Sequence, residues 1–303
     1  MAALRYPGPV MRYEGTVYRP PSEAHSLILQ ATIGCSYNRC SYCAMYIDKR
    51  FRPRSRDDLR EDMDLAVAYH GAEAVRRVFL ADGDALILRT ARLLEILEDL
   101  KARFPNFERA STYASPQALL TKSVAELVEL KDAGLPLHYA GPETGHPEVM
   151  ARIAKGVTPE QFEEGARRVV EAGAKLSVIF LLGIGGVELS EAHAQASAEW
   201  TNRVQPRYVS TLTLVPVPGT PIHTEVESGR MVLPGPRGIL RELRGFVDGL
   251  ELEGALFRGN HASNALPVGG TLPKDKARLL AVLDAVLADE SFALRPPPSP
   301  HRL

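Results

Sequence analysis

Ser26-Leu-Ile-Leu-Gln-Ala-Thr32 is an apolar run that leads directly into a polar loop, Gly34-Cys-Ser-Tyr-Asn-Arg-Cys-Ser-Tyr-Cys43. The run reads as a buried strand. Downstream, helical and strand patterns alternate. Asp57 to Tyr69 is helical, with Leu59, Met63, Leu65 and Ala66 towards one side, and Arg77-Val-Phe-Leu-Ala81 is a strand. A helix follows from Thr90 to Arg103, then a short strand, Ala110-Ser-Thr-Tyr113. Ser123-Val-Ala-Glu126 is a capping box that opens a helix to Asp132. Leu137-His-Tyr-Ala140 is a strand, and Thr158-Pro-Glu-Gln161 announces a helix with proline at its first position. The strand Lys175–Leu182, a helix after Ser190 and the strand Tyr208–Val215 complete the pattern. Strands alternating with helices imply right-handed crossovers and a parallel sheet, either open or closed partly or fully into a barrel. Beyond Pro221 the rhythm changes to helices over 236–250 and 274–288, with Leu256 to Pro273 between them. The chain is expected to divide into an irregular arm (1–24), a core (25–222), an extension (223–290) and a disordered tail (291–303).

The 303 residues, 45% apolar and 24% charged, suffice for one large core and exclude a disordered or collagen-like chain. A formal net charge of −1 gives no broad electrostatic reason to bind nucleic acid. No apolar run approaches the ~18 residues that span a bilayer, and Met1 to Ala24 lacks the apolar stretch of a signal peptide. The expectation is a cytoplasmic protein with no membrane partner.

All three cysteines, Cys35, Cys40 and Cys43, lie within nine residues. That is a poor disulfide framework for a chain of this length and points to one reduced, metal-binding loop. Three clustered thiolates can hold three irons of a cubane and leave the fourth without a protein ligand. A zinc knuckle is the competing reading; it needs a fourth ligand, and His70 lies well downstream.

The C-x4-C-x2-C loop, with aromatic Tyr42 before the last cysteine, resembles the cluster loop of radical S-adenosylmethionine (SAM) enzymes, which is usually one residue shorter in its first spacer. The elongator catalytic subunit shares the longer spacer. Three later blocks fit the same family. Ala81-Asp-Gly-Asp-Ala85 stands where the family carries a Gly-Gly-Glu-like turn that receives the SAM ammonium, which implies Asp82, Gly83 and Asp84. Gly141-Pro-Glu-Thr-Gly145 is similar to the block shared by methylthiotransferases and oxygen-independent coproporphyrinogen oxidases, and it implies Glu143 as acceptor of the ribose hydroxyls. Leu182-Gly-Ile-Gly-Gly186 resembles the family's adenine and methionine contact, which implies Gly183. Arg152 and Lys155 are candidates for neutralising the SAM carboxylate, with helix-surface charge as the alternative.

The resemblance covers Ser26 to Pro221 and implies an α/β fold, a partial (β/α)6 TIM-like barrel with a C-terminal helical extension. Its implied cofactors are a [4Fe–4S] cluster and SAM, and its implied partner is an electron donor such as flavodoxin or ferredoxin. The implied chemistry is one-electron cleavage of SAM to methionine and a 5′-deoxyadenosyl radical, which abstracts hydrogen from a small-molecule or nucleotide substrate. With no cysteine outside the loop, nothing signals a second cluster. The alternative function is a non-catalytic iron–sulfur or haem carrier that keeps the same fold.

Candidate substrate readers are Arg50 and Arg52, in the basic run Lys49–Arg56, and Asn260, His261, Ser263 and Asn264 in the extension. The polar groups of the latter set have a competing role, closing an open barrel end by satisfying one another. Tyr37, Tyr113 and His261 are the candidates for contact with the reacting groups; tyrosines more often pack with a wet tip.

Overall fold

Within the opening apolar run, regular strand is confined to Leu27–Gln30 (β1), and the two residues Thr32–Ile33 (β2) turn away to pair antiparallel with Arg52–Pro53 (β3). The structure, a computed structural model, describes residues 11–296 and comprises two compact units. Residues 1–10 of the arm and 297–303 of the tail lie outside the described residues.

The first unit contains described residues up to 38, 45–140 and 171–175. After β3 come α1 (Arg56–His70), β4 (Arg77–Ala81), α2 (Thr90–Arg103), β5 (Arg109–Tyr113), α3 (Pro116–Leu120), α4 (Val124–Asp132) and the start of β6 (Leu137–Glu143). β1, β4, β5 and β6 are successive parallel neighbours. Local chemistry sets the helix starts. Ser55 accepts the Asp58 N–H at the head of α1, with Asp57 and Asp58 in the first turn where the helix dipole favours anions. Both halves of the Ser123–Glu126 capping box are present at α4. Leu59, Met63 and Ala66 recur on the buried face of α1; Leu93, Ile96, Leu97 and Leu100 do so on α2. They pack with a sheet whose central strand, Val78 to Ala81, is wholly buried.

β6 carries an anomaly. His138 is fully buried, and among the described residues neither ring nitrogen has a hydrogen-bond partner. Burial lowers its pKa from 6.5 to about 4, so the ring is neutral at pH 7. The unfolded chain takes up this proton near pH 6.5 and the folded chain only near 4. Stability from this group is therefore complete above pH 6.5 and lost as pH falls towards 4, by about 3 kcal/mol. His138→Leu, of similar volume and without polar atoms, is expected to raise the melting temperature at pH 5 more than at pH 7. A variant melting lower than the parent at both pH values, on an unchanged acid slope, would show that the ring is satisfied in solution.

The second unit contains residues 39–44, 141–170 and those from 176 onward. Its elements are the end of β6, α5 (Pro147–Arg152), α6 (Pro159–Glu171, its last residue excepted), β7 (Lys175–Leu182, after its first residue), α7 (Ser190–Val204), β8 (Tyr208–Thr213), α8 (Pro221–Glu227), α9 (Pro236–Gly249), β9 (Ala255–Gly259), β10 (Val268–Leu272) and α10 (Lys276–Ala288). β7, β8 and β9 run parallel and β10 returns antiparallel to β9. An aromatic series organises the core: Phe162 on Trp200, Trp200 on Phe180, Phe180 on Phe246 and Phe246 on Phe257, at centroid distances of 5.1–6.5 Å. Trp200 Nε1 donates to the Pro159 carbonyl at 3.0 Å, so the buried indole loses no hydrogen bond.

The extension is thus not helical throughout. Leu256 to Pro273, whose composition announces no element, belongs largely to the β9–β10 hairpin, and β9 extends the parallel row at β8. The glycine-rich Val268-Gly-Gly-Thr-Leu272 has little intrinsic strand preference; pairing with β9 along its whole length makes it a strand. Of the tail, residues 291–296 are described, and the Arg295 N–H donates to the Ala265 carbonyl at 3.0 Å.

Candidate active site

In the first unit the cysteine loop begins at the C-terminal end of β1, beside the end of β4. The two strand ends are laced together: Asp82 N–H donates to the Thr32 carbonyl and Gly83 N–H to the Gly34 carbonyl, each at 3.1 Å. Asp82 is fully buried. Its Oδ2 accepts from Gln30 Nε2 (2.9 Å), the Gly34 N–H (3.1 Å) and Lys49 Nζ (2.8 Å). Its Oδ1 is buried and has no partner among the described residues, an acceptor available to a ligand's donor. Asp84 is equally buried and holds Ser115 through its N–H (2.9 Å) and hydroxyl (2.6 Å), and Ser36 of the cysteine loop through its hydroxyl. Burial raises its pKa, against those hydrogen bonds. Gly83 leaves no room for a side chain: a Cβ there would stand 2.6 Å from the buried Tyr46 ring and 2.9 Å from Cys35 Cβ. Both acids therefore shape the loop around Cys35, with Asp82 Oδ1 the one oxygen left over.

In the second unit, Cys40 and Cys43 lie in one turn, closed by the Cys43 N–H donating to the Cys40 carbonyl at 3.2 Å. Ser41, between them, is pinned through its N–H to the Ile153 carbonyl and through its own carbonyl to the Ile222 N–H. Tyr42 packs on the apolar cluster of Val149, Ile153, Leu181, Ile184, Leu214, Ile222 and Met231. Its hydroxyl donates to Glu143 Oε1 at 2.7 Å, and Lys155 Nζ donates to both Tyr42 Oη (3.1 Å) and Glu143 Oε1 (3.3 Å). Burial, then the Glu143 charge, push the Tyr42 phenol well above its usual value. Burial pulls the Lys155 ammonium down, but Glu143 and Cys40 outweigh it and the net shift is upward, so it stays charged. Burial raises the Cys40 thiol while Lys155 opposes the rise.

Glu143 closes β6 with φ of 64°, a left-handed conformation that costs a side-chain-bearing residue roughly 1 kcal/mol or more. Its carboxylate folds back over Gly141, where a Cβ would stand 1.9 Å from Oε1; only glycine admits that approach. The next residues are anchored too: Thr144 Oγ1 meets His193 Nδ1 at 2.8 Å, and the Gly145 N–H donates to Ser197 Oγ at 2.9 Å.

The remaining candidates separate clearly. Arg152 lies along α5 paired with Glu148 at 3.3 Å, a helix-surface ion pair. Gly183, at φ of 82°, donates its N–H to buried Glu242 at 2.6 Å. Of the basic run, Lys49 pairs with Asp82, Arg52 with Glu14, Arg54 with buried Asp62 and Arg56 with Asp99, so these cations fasten the arm, α1 and α2. Arg50 is exposed. Asn264 donates to the Thr211 and Gly259 carbonyls and accepts from the Thr213 hydroxyl, Ser263 Oγ accepts the Thr213 N–H, and His261 Nδ1 meets Ser263 Oγ at 2.8 Å. That set fixes the β9–β10 loop on β8, and burial lowers the His261 pKa to about 4; Asn260 is exposed. Tyr37 is half-buried, and Tyr113 packs edge-on against Phe79 and Tyr139.

The three cysteines are half-buried and none is in a disulfide. Among the described residues no three Cys, His, Asp or Glu side chains converge closely enough to hold a metal ion by themselves. The donor set nevertheless suits an iron–sulfur cluster and a cationic amine: three thiols in one loop, a buried carboxylate oxygen awaiting a donor, and a glycine where the backbone must come close.

Comparison with known proteins agrees. The Radical SAM superfamily model matches residues 29–195. An uncharacterized methyltransferase of Pyrococcus horikoshii is 22% identical over 195 residues, 64% of this chain and 40% of that protein. Among solved structures, coproporphyrinogen III oxidase (HemN) from Escherichia coli matches with a TM-score of 0.52 and 16% identity, over 74% of this chain and 52% of that one. Methylornithine synthase (PylB) gives 0.51 and 16% over 75% and 63%. The enzyme anSMEcpe with bound AdoMet and the Cp18Cys peptide gives 0.54 and 11% over 74% and 58%. The chain spans less than two thirds of the length of these relatives. The fold is accordingly the α/β, TIM-like partial barrel, and no helix among the described residues is long and apolar enough to cross a membrane. By its matched core, this chain belongs to the radical SAM superfamily, enzymes that work with a [4Fe–4S] cluster and S-adenosylmethionine.

Proposed function

We propose that Cys35, Cys40 and Cys43 ligate the cluster, that Asp82 Oδ1 receives the SAM ammonium, and that Glu143 receives the ribose hydroxyls. The observation that carries this reading is the Tyr42–Glu143–Lys155 triad, in which the aromatic residue between the last two cysteines is hydrogen-bonded to the carboxylate at the end of β6. The loop that would carry the cluster and the turn that would read the nucleoside thus share one buried hydrogen-bonded unit. Lys155 holds positive charge beside Cys40, which opposes the rise that burial imposes on that thiol. The cofactors supply reductive cleavage of SAM to a carbon radical. The protein's contribution is to hold the nucleoside, fix the loop and exclude water. An external one-electron donor is required, and flavodoxin or ferredoxin is the proposed kind. The substrate is a small molecule or exposed nucleotide; the methyltransferase name of the archaeal relative makes methyl transfer the first outcome to look for.

The test is anaerobic reconstitution with iron and sulfide, followed by dithionite and SAM, with chromatography for 5′-deoxyadenosine and methionine. Formation of both is expected. SAM left intact by a fully reconstituted protein, with and without candidate substrates, would favour the carrier reading.

A further inference from the structure

Two turns of the second unit are candidates for contact with SAM, the one after Glu143 and the one at Gly183. They are joined by buried polar groups that neither turn supplies. Glu242, on the otherwise apolar face of α9 formed by Ile239, Leu240, Leu243, Phe246 and Val247, has a fully buried side chain. Its Oε1 accepts the Gly183 N–H at 2.6 Å and its Oε2 accepts the Ser190 hydroxyl. Oε1 also lies 3.5 Å from His193 Nε2, on α7. The other ring nitrogen, Nδ1, meets Thr144 Oγ1 at 2.8 Å, next in sequence to Glu143.

The protons can be placed. Nε2 faces a carboxylate oxygen, an acceptor, which favours the ring proton there; Nδ1 then accepts the Thr144 hydroxyl, whose oxygen also accepts the His146 N–H at 2.9 Å. Burial supports a neutral ring, lowering the His193 pKa to about 3, and raises Glu242 to about 7. A buried acid among apolar neighbours is costly to keep. A leucine at that position of α9 would leave the Gly183 N–H and the Ser190 hydroxyl without this acceptor, so the carboxylate's part is to hold the Gly183 turn and the head of α7.

We propose that Glu242 and His193 are positioning residues, which hold the Gly183 turn and the Glu143–Thr144 turn in fixed register so that one SAM nucleoside meets both. The inference rests on the proposed SAM site and adds to it a contribution from the extension: α9 completes the site without touching the ligand. No hydrogen bond joins Thr144 to Glu242 directly; His193 touches both, with Ser197 Oγ, 3.4 Å from Nδ1 and accepting the Gly145 N–H, beside it on α7.

The experiment measures SAM affinity and cleavage kinetics for the reconstituted wild type, Glu242→Gln, Thr144→Val and the double variant. Glu242→Gln keeps shape but loses an acceptor, and Thr144→Val is isosteric. Each is expected to raise KM for SAM about tenfold with a smaller change in kcat, as for residues that orient a ligand through another group. The double variant should lose little more than either single one, the non-additivity of a shared relay. Strictly additive losses, or single variants that bind SAM like the wild type, would overturn the proposal. Should Glu242→Gln fail to fold, an unchanged KM in Thr144→Val would overturn it independently. A wild type that does not bind SAM is a different result, the failure of the SAM site itself.

Discussion

Replacing Cys35, Cys40 or Cys43 singly with alanine is expected to abolish the brown absorbance of the reconstituted protein and to lower 5′-deoxyadenosine formation by more than about a hundredfold, a loss already typical of residues that merely orient metal ligands. No histidine or further cysteine lies in the loop to substitute for a lost thiolate. The half-buried side chains contribute little to the core, and the backbone of the Cys40–Cys43 turn is held by Ser41 through Ile153 and Ile222. The variants should therefore remain folded. Iron content and thermal melting, measured side by side, check this. A variant that keeps full iron and full activity would remove that cysteine from the site, and a zinc-loaded wild type would replace the assignment altogether.

Glu143→Gln should weaken SAM binding by roughly ten- to hundredfold, the value of a hydrogen bond to a charged group of about 1.5–3 kcal/mol. The substitution also leaves the Lys155 ammonium buried without its counter-charge, which destabilises the protein on its own account. The double variant Glu143→Gln, Lys155→Met separates the two effects: it should recover stability but not affinity. A ribose-specific role adds a sharper mark, because the wild type should discriminate against a 2′-deoxyribose analogue of SAM and both Gln variants should not. Equal discrimination by wild type and variant would assign Glu143 to the Tyr42–Lys155 cluster alone.

Much of this architecture is legible in the sequence, and the exceptions have physical reasons. Arg77–Ala81, Thr90–Arg103 and Lys175–Leu182 begin and end where their apolar patterns do, because local pattern and tertiary burial agree there. Ser123 and Glu126 close the capping box that their spacing announces. β2 and β3 are two residues each, too short for any periodicity, and β10 exists through its partner rather than its composition. Within the site, the acidic turn and Lys155 are visible as chemistry, whereas the division of labour is not: nothing in Asp82-Gly-Asp84 reveals that one acid holds Lys49 and the other Ser36. Arg152 and Lys155 are three residues apart and both cationic, yet one rides the helix surface and the other lies buried on Glu143. Glu242 did leave a signal. A carboxylate at the position between Ile239 and Phe246 falls on the apolar stripe of its helix, and a buried charge is the kind of residue that structure alone seldom retains.

Three cysteines holding a cluster leave one iron open to SAM. The most direct measurement is electron paramagnetic resonance of the dithionite-reduced, reconstituted protein, recorded before and after SAM is added. A reduced-cluster signal whose g-values shift on SAM addition is expected, because an open iron would take the amine and carboxylate of SAM as ligands. An unchanged spectrum at saturating SAM would contradict it and mark a cluster closed to the cosubstrate.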